Sequence, residues 1–80
     1  MEHIRNRFNI LLAEKEFRDG RQYTYDDIRD LTGLARGTLS FYAQNKIQRY
    51  DSQTVATLCR FFECELTDLL ELSPAATEAA

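Results

Sequence analysis

Arg36, Gly37, Ser40, Phe41 and Gln44 are the residues of this 80-residue chain whose types and spacing come nearest to chemistry. On a helix anchored at Leu39 they fall on the side opposite the core. There they would offer a guanidinium fork, a hydroxyl, a carboxamide, an aromatic ring and a gap where another backbone can come close. Such a set reads base edges in the major groove of DNA. Arg36 would make a bidentate bond to guanine O6 and N7, Ser40 or Gln44 would bond a base edge or a phosphate, and Phe41 would pack on a thymine methyl. Gly37 costs a helix about 1 kcal/mol relative to Ala, which makes sense if its backbone must approach a sugar-phosphate strand. The plainer alternatives are a solubilising charge at Arg36, a protein interface at Phe41 and neutral drift at Gly37.

Lys46, Gln48, Arg49 and Tyr50 follow this helix and suit phosphate contacts, which position without specifying. Thr24 and Tyr25 would add backbone N–H groups at the start of the preceding helix. Other chemistry is sparse. His3, the single histidine, has no placed partner. Cys59 and Cys64 lack the further Cys or His that a tetrahedral zinc site needs, so reduced thiols are expected, without metal or cofactor. A chain this short buries too little to hold an active-site cavity, so no enzyme is expected. It contains no apolar run of signal-peptide or membrane-spanning length, and the expected setting is the cytoplasm with no membrane partner.

The net charge of −3 argues at first sight against a polyanionic partner. The total hides an asymmetry. Residues 1 to 50 hold nine Lys or Arg against seven Asp or Glu, and residues 51 to 80 hold one against six. From Thr32 through Tyr50 the chain carries Arg36, Lys46 and Arg49 and no acid.

The elements that would position these residues are helical. Tyr25, Ile28 and Leu31 form one apolar stripe and Leu39, Tyr42 and Ala43 another, hinged at Gly33: a helix-turn-helix. Thr24 suits the N-cap, with Asp26 and Asp27 in the first turn. Before it, a helix is expected from about Glu2 to Phe17, with Ile4, Phe8, Leu11 and Leu12 facing the core. Arg5, Arg7, Glu14, Lys15 and Glu16 form its solvated face. Arg18 to Gln22 reads as a loop around Gly20. After the pair, Asp51 or Ser52 would cap a helix carrying Val55, Leu58, Cys59 and Phe62. A short helix near Leu66, Leu69 and Leu70 stops at Ser73-Pro74. No strand-like alternation of useful length is present.

These residues resemble the phage-repressor or Cro-type helix-turn-helix family, also called XRE, and particularly its small single-domain bacterial members. The likeness covers about residues 4 to 72. It is carried by Ile28 through Gly33-Leu34, by Gly37-Thr38-Leu39-Ser40, and most specifically by a downstream block. That block runs Thr54-Val55, Leu58-Cys59, Phe62, Cys64 and Asp68-Leu69-Leu70, and looks like the family's closing pattern. The resemblance implies five helices, a third helix that reads the major groove, and often a homodimer on a palindromic operator. Four positions depart from it: Arg29 where a small residue is usual, Ala35 at the capping position of the recognition helix, Ala43 for a common Glu, and Asn45 at a Gly position.

The expectation is therefore an all-α, five-helix, repressor-like domain over residues 1–72 with a disordered tail over 73–80. It would be a sequence-specific regulator binding double-stranded DNA through a helix at about 35–45, taking no small-molecule substrate, and acting as a homodimer. Phe61, Leu66, Leu69 and Leu72 would form the dimer interface, on the argument that Phe61 lies off the apolar stripe. The competing reading is a protein-interaction module using outward Phe41 and Phe61.

Overall fold

Asn6 is the residue at which the architecture changes. The computed structural model describes residues 2–74 of the chain, and the side chains of residues 4–72. A strand, β1 (Glu2–Asn6), leads into α1 (Phe8–Asp19), α2 (Tyr25–Thr32), α3 (Arg36–Ala43), α4 (Ser52–Phe62), α5 (Leu66–Leu69) and a closing strand, β2 (Leu70–Pro74). The expected five helices are present. The expected first helix is corrected at its start, because residues 2–6 pair antiparallel with β2, Ile4 opposite Leu72 and Asn6 opposite Leu70. The residue types in Glu2–Asn6 tolerate either state, and a partner more than sixty positions away decides between them. The expectation of no useful strand falls for the same reason. Residues 73 and 74, assigned to the tail from the sequence, belong to β2; residues 75–80 of that tail, and any role of the His3 side chain, lie outside what is described.

Local signals explain most boundaries. The Asn6 Oδ1 accepts a 3.0 Å bond from the Phe8 N–H and so serves the first turn of α1. Helix α1 runs two residues past Phe17, to Asp19, and is closed by Gly20 at a left-handed φ of 67°. Thr24 and Asp27 form a reciprocal capping box at α2, and Gly33 closes that helix at φ 79°. Asp51 caps α4 by accepting from the Thr54 N–H. Ala35 supplies no side-chain bond to α3.

The core is Phe8, Leu11, Ile28, Leu39, Tyr42, Val55, Leu58, Phe62 and Leu69. Phe8 stands at its centre, edge-on to Phe62 at 5.5 Å and tilted against Tyr42 at 6.2 Å. Leu31 is corrected: it is 62 % exposed, and Ile28 alone is fully buried from α2. Lys15 is corrected in the other sense. Instead of lying on a solvated face it is buried, its ammonium 4.9 Å from the Phe61 ring centre and 3.1 Å from Asp19. Among the described residues no helix is long and apolar enough to cross a membrane.

Candidate nucleic-acid interface

Helix α3 is held by two fully packed side chains, Leu39 and Tyr42, and by ties at its ends. Asn9 on α1 donates a 2.7 Å bond to the Ala43 carbonyl, satisfying one of the last carbonyls of α3. Asn45, at the position where the family resemblance has Gly, follows in a left-handed turn at φ 55°. Its side chain does something a glycine cannot: Oδ1 accepts from the Asn6 N–H at 2.7 Å and Nδ2 donates to the Asn6 carbonyl at 3.1 Å. The carboxamide thus bonds the β1 backbone as a strand residue would, and fixes the end of α3 to the start of α1.

With Leu39 and Tyr42 turned in, the other side of α3 is turned out. Arg36, Gly37, Phe41 and Gln44 are exposed there and Ser40 is half-buried, so the five residues singled out from the sequence share one face. Phe41 is 53 % exposed. The Gln44 amide donates to the Ser40 hydroxyl at 2.8 Å, which orders both side chains. A side chain at Gly37 would meet nothing within 4 Å, so internal packing does not require this glycine.

The electrostatics differ from the sequence reading. Arg36 stands in an acid-free stretch of chain, yet in space its Nε lies 3.3 Å from Asp26 Oδ1 on α2. The same carboxylate oxygen lies 3.5 Å from Arg29, whose other nitrogen reaches Asp30. The Arg29 side chain, about half exposed, is taken up by these surface ion pairs, and Asp26 becomes a partner of the foremost base-reading candidate. The relation joins two elements, and no spacing along the chain reveals it.

The phosphate set divides. Lys46, Gln48 and Arg49 are exposed after α3. Tyr50 is half-buried, its ring 5.7 Å from Tyr42 and its hydroxyl accepting from the Asn6 side chain at 3.4 Å, so it serves the interior. Thr24 is corrected as a phosphate donor, because its N–H is given to Asp27 Oδ2 at 3.0 Å and its hydroxyl accepts from the Asp27 N–H at 3.1 Å. These bonds, the Thr24 N–H first, hold the Asp27 carboxyl below its ordinary range and keep a negative charge at that helix end. Tyr25 is half-buried against the core.

Two of the four residues assigned to a dimer interface are also corrected. Leu69 is 0 % exposed and belongs to the core. Phe61 is half-buried in a ring cluster with Tyr23 and Phe62, under Lys15, so it does not stand off the apolar face. Leu66 and Leu72 are exposed. Cys59 and Cys64 are free thiols, both half-buried. Burial, with Cys59 adding to it, pushes the Cys64 thiol up to about 11, which keeps it protonated near neutrality. Among the described residues no three His, Cys, Asp or Glu are grouped to hold a metal.

Beside the far end of α3 opens a groove of about 750 Å³, lined by Ile4, Phe41, Asn45, Lys46, Ile47 and Tyr50 among others. Neither a curated protein nor a solved structure matches the chain. A family model described as the Cro/C1-type HTH DNA-binding domain matches residues 8–75, beginning at α1 and leaving β1 outside. With that match over the whole helical body, and a helix-turn-helix at α2–α3 presenting a polar outer face, the chain belongs to the Cro/C1-type helix-turn-helix DNA-binding domains.

Proposed function

We propose that this protein is a sequence-specific transcriptional regulator of the cytoplasm, without enzymatic activity or cofactor, that lays α3 in the major groove. The observation that carries the reading is the outer face of α3. Arg36, Ser40, Phe41 and Gln44 stand on a helix anchored from behind by Leu39 and Tyr42, with an open approach at Gly37. Arg36 is assigned to a guanine, Ser40 and Gln44 to base edges or a phosphate, and Phe41 to a thymine methyl. Lys46, Gln48 and Arg49, with the backbone N–H of Tyr25, take phosphates. One recognition helix reads too few base pairs for a specific site, so the protein acts as a homodimer on two half-sites about 34–36 Å apart.

Selection of bound duplexes from a random pool tests this. A palindromic motif is the expected result, and no enrichment would end the regulator reading. The competing reading, a protein-interaction module, draws on the exposed Phe41 beside its groove. Phe61 no longer supports it, since that ring is occupied within the fold.

A further inference from the structure

Among the described residues, strand β1 has β2 against one edge and no strand against the other, and that open edge already shows how it accepts a partner. Backbone groups of a strand point alternately to its two sides. Arg7 donates toward β2, to the Leu69 carbonyl at 2.7 Å, whereas the N–H and C=O of Asn6 both point the other way and are taken by the Asn45 carboxamide. By the same alternation the N–H and C=O of Ile4 and of Glu2 face outward, away from β2. Ile4 also lines the groove, together with Asn45 and the apolar side chains of Phe41, Ile47 and Tyr50. Ile4 is 47 % exposed, and Leu72, directly opposite it on the same face of the ribbon, is 65 % exposed. An open strand edge next to an exposed apolar face is a template for another strand.

We propose that a second copy of this chain docks here, β1 against β1 across a two-fold axis, giving a four-stranded antiparallel sheet between the two helical bodies. The register follows from what is already occupied. Outward-facing residues must meet outward-facing residues, so the axis passes through His3 or through Ile4. An axis at Ile4 would place Asn6 of one copy opposite Glu2 of the other, where Asn45 already fills the edge. An axis at His3 pairs Ile4 of each copy with Glu2 of the other, forms four backbone hydrogen bonds and leaves Asn45 undisturbed. It also sets an acidic position of one copy opposite Ile4 of the other, which lines the same groove as Lys46. The proposal supplies the interface for the dimer inferred above and depends on that reading only for its use on DNA. It moves the interface from α5 to a strand outside the span the family model matches.

The register makes a direct test possible. Facing residues in a non-hydrogen-bonded antiparallel pair have Cα atoms about 4.5 Å apart, within the span a disulfide accepts. Under mild oxidation without DNA, His3→Cys should cross-link most chains into dimers, while the wild type with Cys59 and Cys64, and Arg5→Cys, stay near background. Ile4→Asp, at an exposed position, should abolish the cross-link in the His3→Cys background and weaken self-association in sedimentation at least tenfold, with helical circular dichroism unchanged. Leu66→Asp should change neither. Cross-linking of His3→Cys no better than Arg5→Cys, or loss of the dimer in Leu66→Asp and not in Ile4→Asp, overturns the proposal. Because these measurements contain no DNA, they are separate from the regulator reading. A cross-linked dimer that enriches no sequence would end that reading alone, and a monomer that enriches a half-site would end this one alone.

Discussion

In the proposed interface most of the specificity is assigned to Arg36, whose guanidinium pairs with Asp26 in the free protein. Arg36→Ala should lose about 1–3 kcal/mol on the selected site and relax the preference at one base pair of each half-site, measured by titration against single-base variants. Asp26→Asn should act in the opposite direction on general affinity. It removes a carboxylate that stands 3.3 Å from Arg36 and would face the phosphates, so binding to unrelated sequences should rise while the ratio of specific to non-specific binding falls. Unchanged binding in both variants would take Arg36 out of the interface. Lys46→Ala and Arg49→Ala should weaken all sequences nearly equally and flatten the plot of log affinity against log salt by about one unit for each phosphate no longer neutralised.

At the scale of elements, the helix-turn-helix is held by its caps. Thr24→Ala removes the hydroxyl that accepts from the Asp27 N–H, and a loss of about 1 kcal/mol in denaturant unfolding is expected. Ala35→Ser should do the reverse, adding up to about 1 kcal/mol at a helix start that has no side-chain cap. The pH dependence follows from three carboxyls held low, Asp19 chiefly by the Tyr23 hydroxyl, Asp27 chiefly by the Thr24 N–H and Asp51 chiefly by the Thr54 N–H. A carboxyl whose folded value lies below its unfolded one stabilises fully above the unfolded value, and that contribution goes as pH falls through the folded value. The unfolded value is about 4, so melting temperature should be level above about pH 5 and drop below about pH 4, with a shallower drop in Asp51→Asn. The Asn45 clamp divides in the same way. Asn45→Gly keeps the left-handed turn and loses two hydrogen bonds, about 1–2 kcal/mol, and Asn45→Ala should lose more because Ala resists φ 55°.

The whole molecule is a helical body stapled by a two-stranded ribbon that joins its two described ends. Its cysteines are free and no zinc-like grouping occurs among the described residues, so helical circular dichroism should be indifferent to chelator and to reductant. A collapse on adding chelator would reveal a structural metal, since such sites fold with their ion. The acid-free run from Thr32 to Tyr50 is less one-sided in space than along the chain, because Asp26 of α2 sits by Arg36. Under the proposed function, the salt dependence of DNA binding should therefore come chiefly from Lys46 and Arg49 in the turn after α3, which a salt titration of the two alanine variants measures.

What could be read along the chain is what local physics controls. Thr24 and Asp51 as caps, Gly33 as the left-handed hinge, Asn45 as a tolerated turn, and Leu39, Tyr42, Val55, Leu58 and Phe62 as buried faces all follow from side-chain chemistry and periods of three and four. With them came the helix-turn-helix and the outer face of α3. The strand at Glu2–Asn6 did not follow, because its hydrogen bonds lie with Leu70–Pro74 at the other end of the chain, and no window of sequence contains both. Leu31 turned outward and Lys15 inward for a related reason: periodicity names a stripe, but the neighbours packed against it set how wide the buried part becomes. Asp26 beside Arg36 belongs to the same class, a pairing made by two helices crossing and not by spacing along either. Turns and caps act over three or four residues and are written where they act, whereas pairings across the fold exist only once the chain has closed on itself.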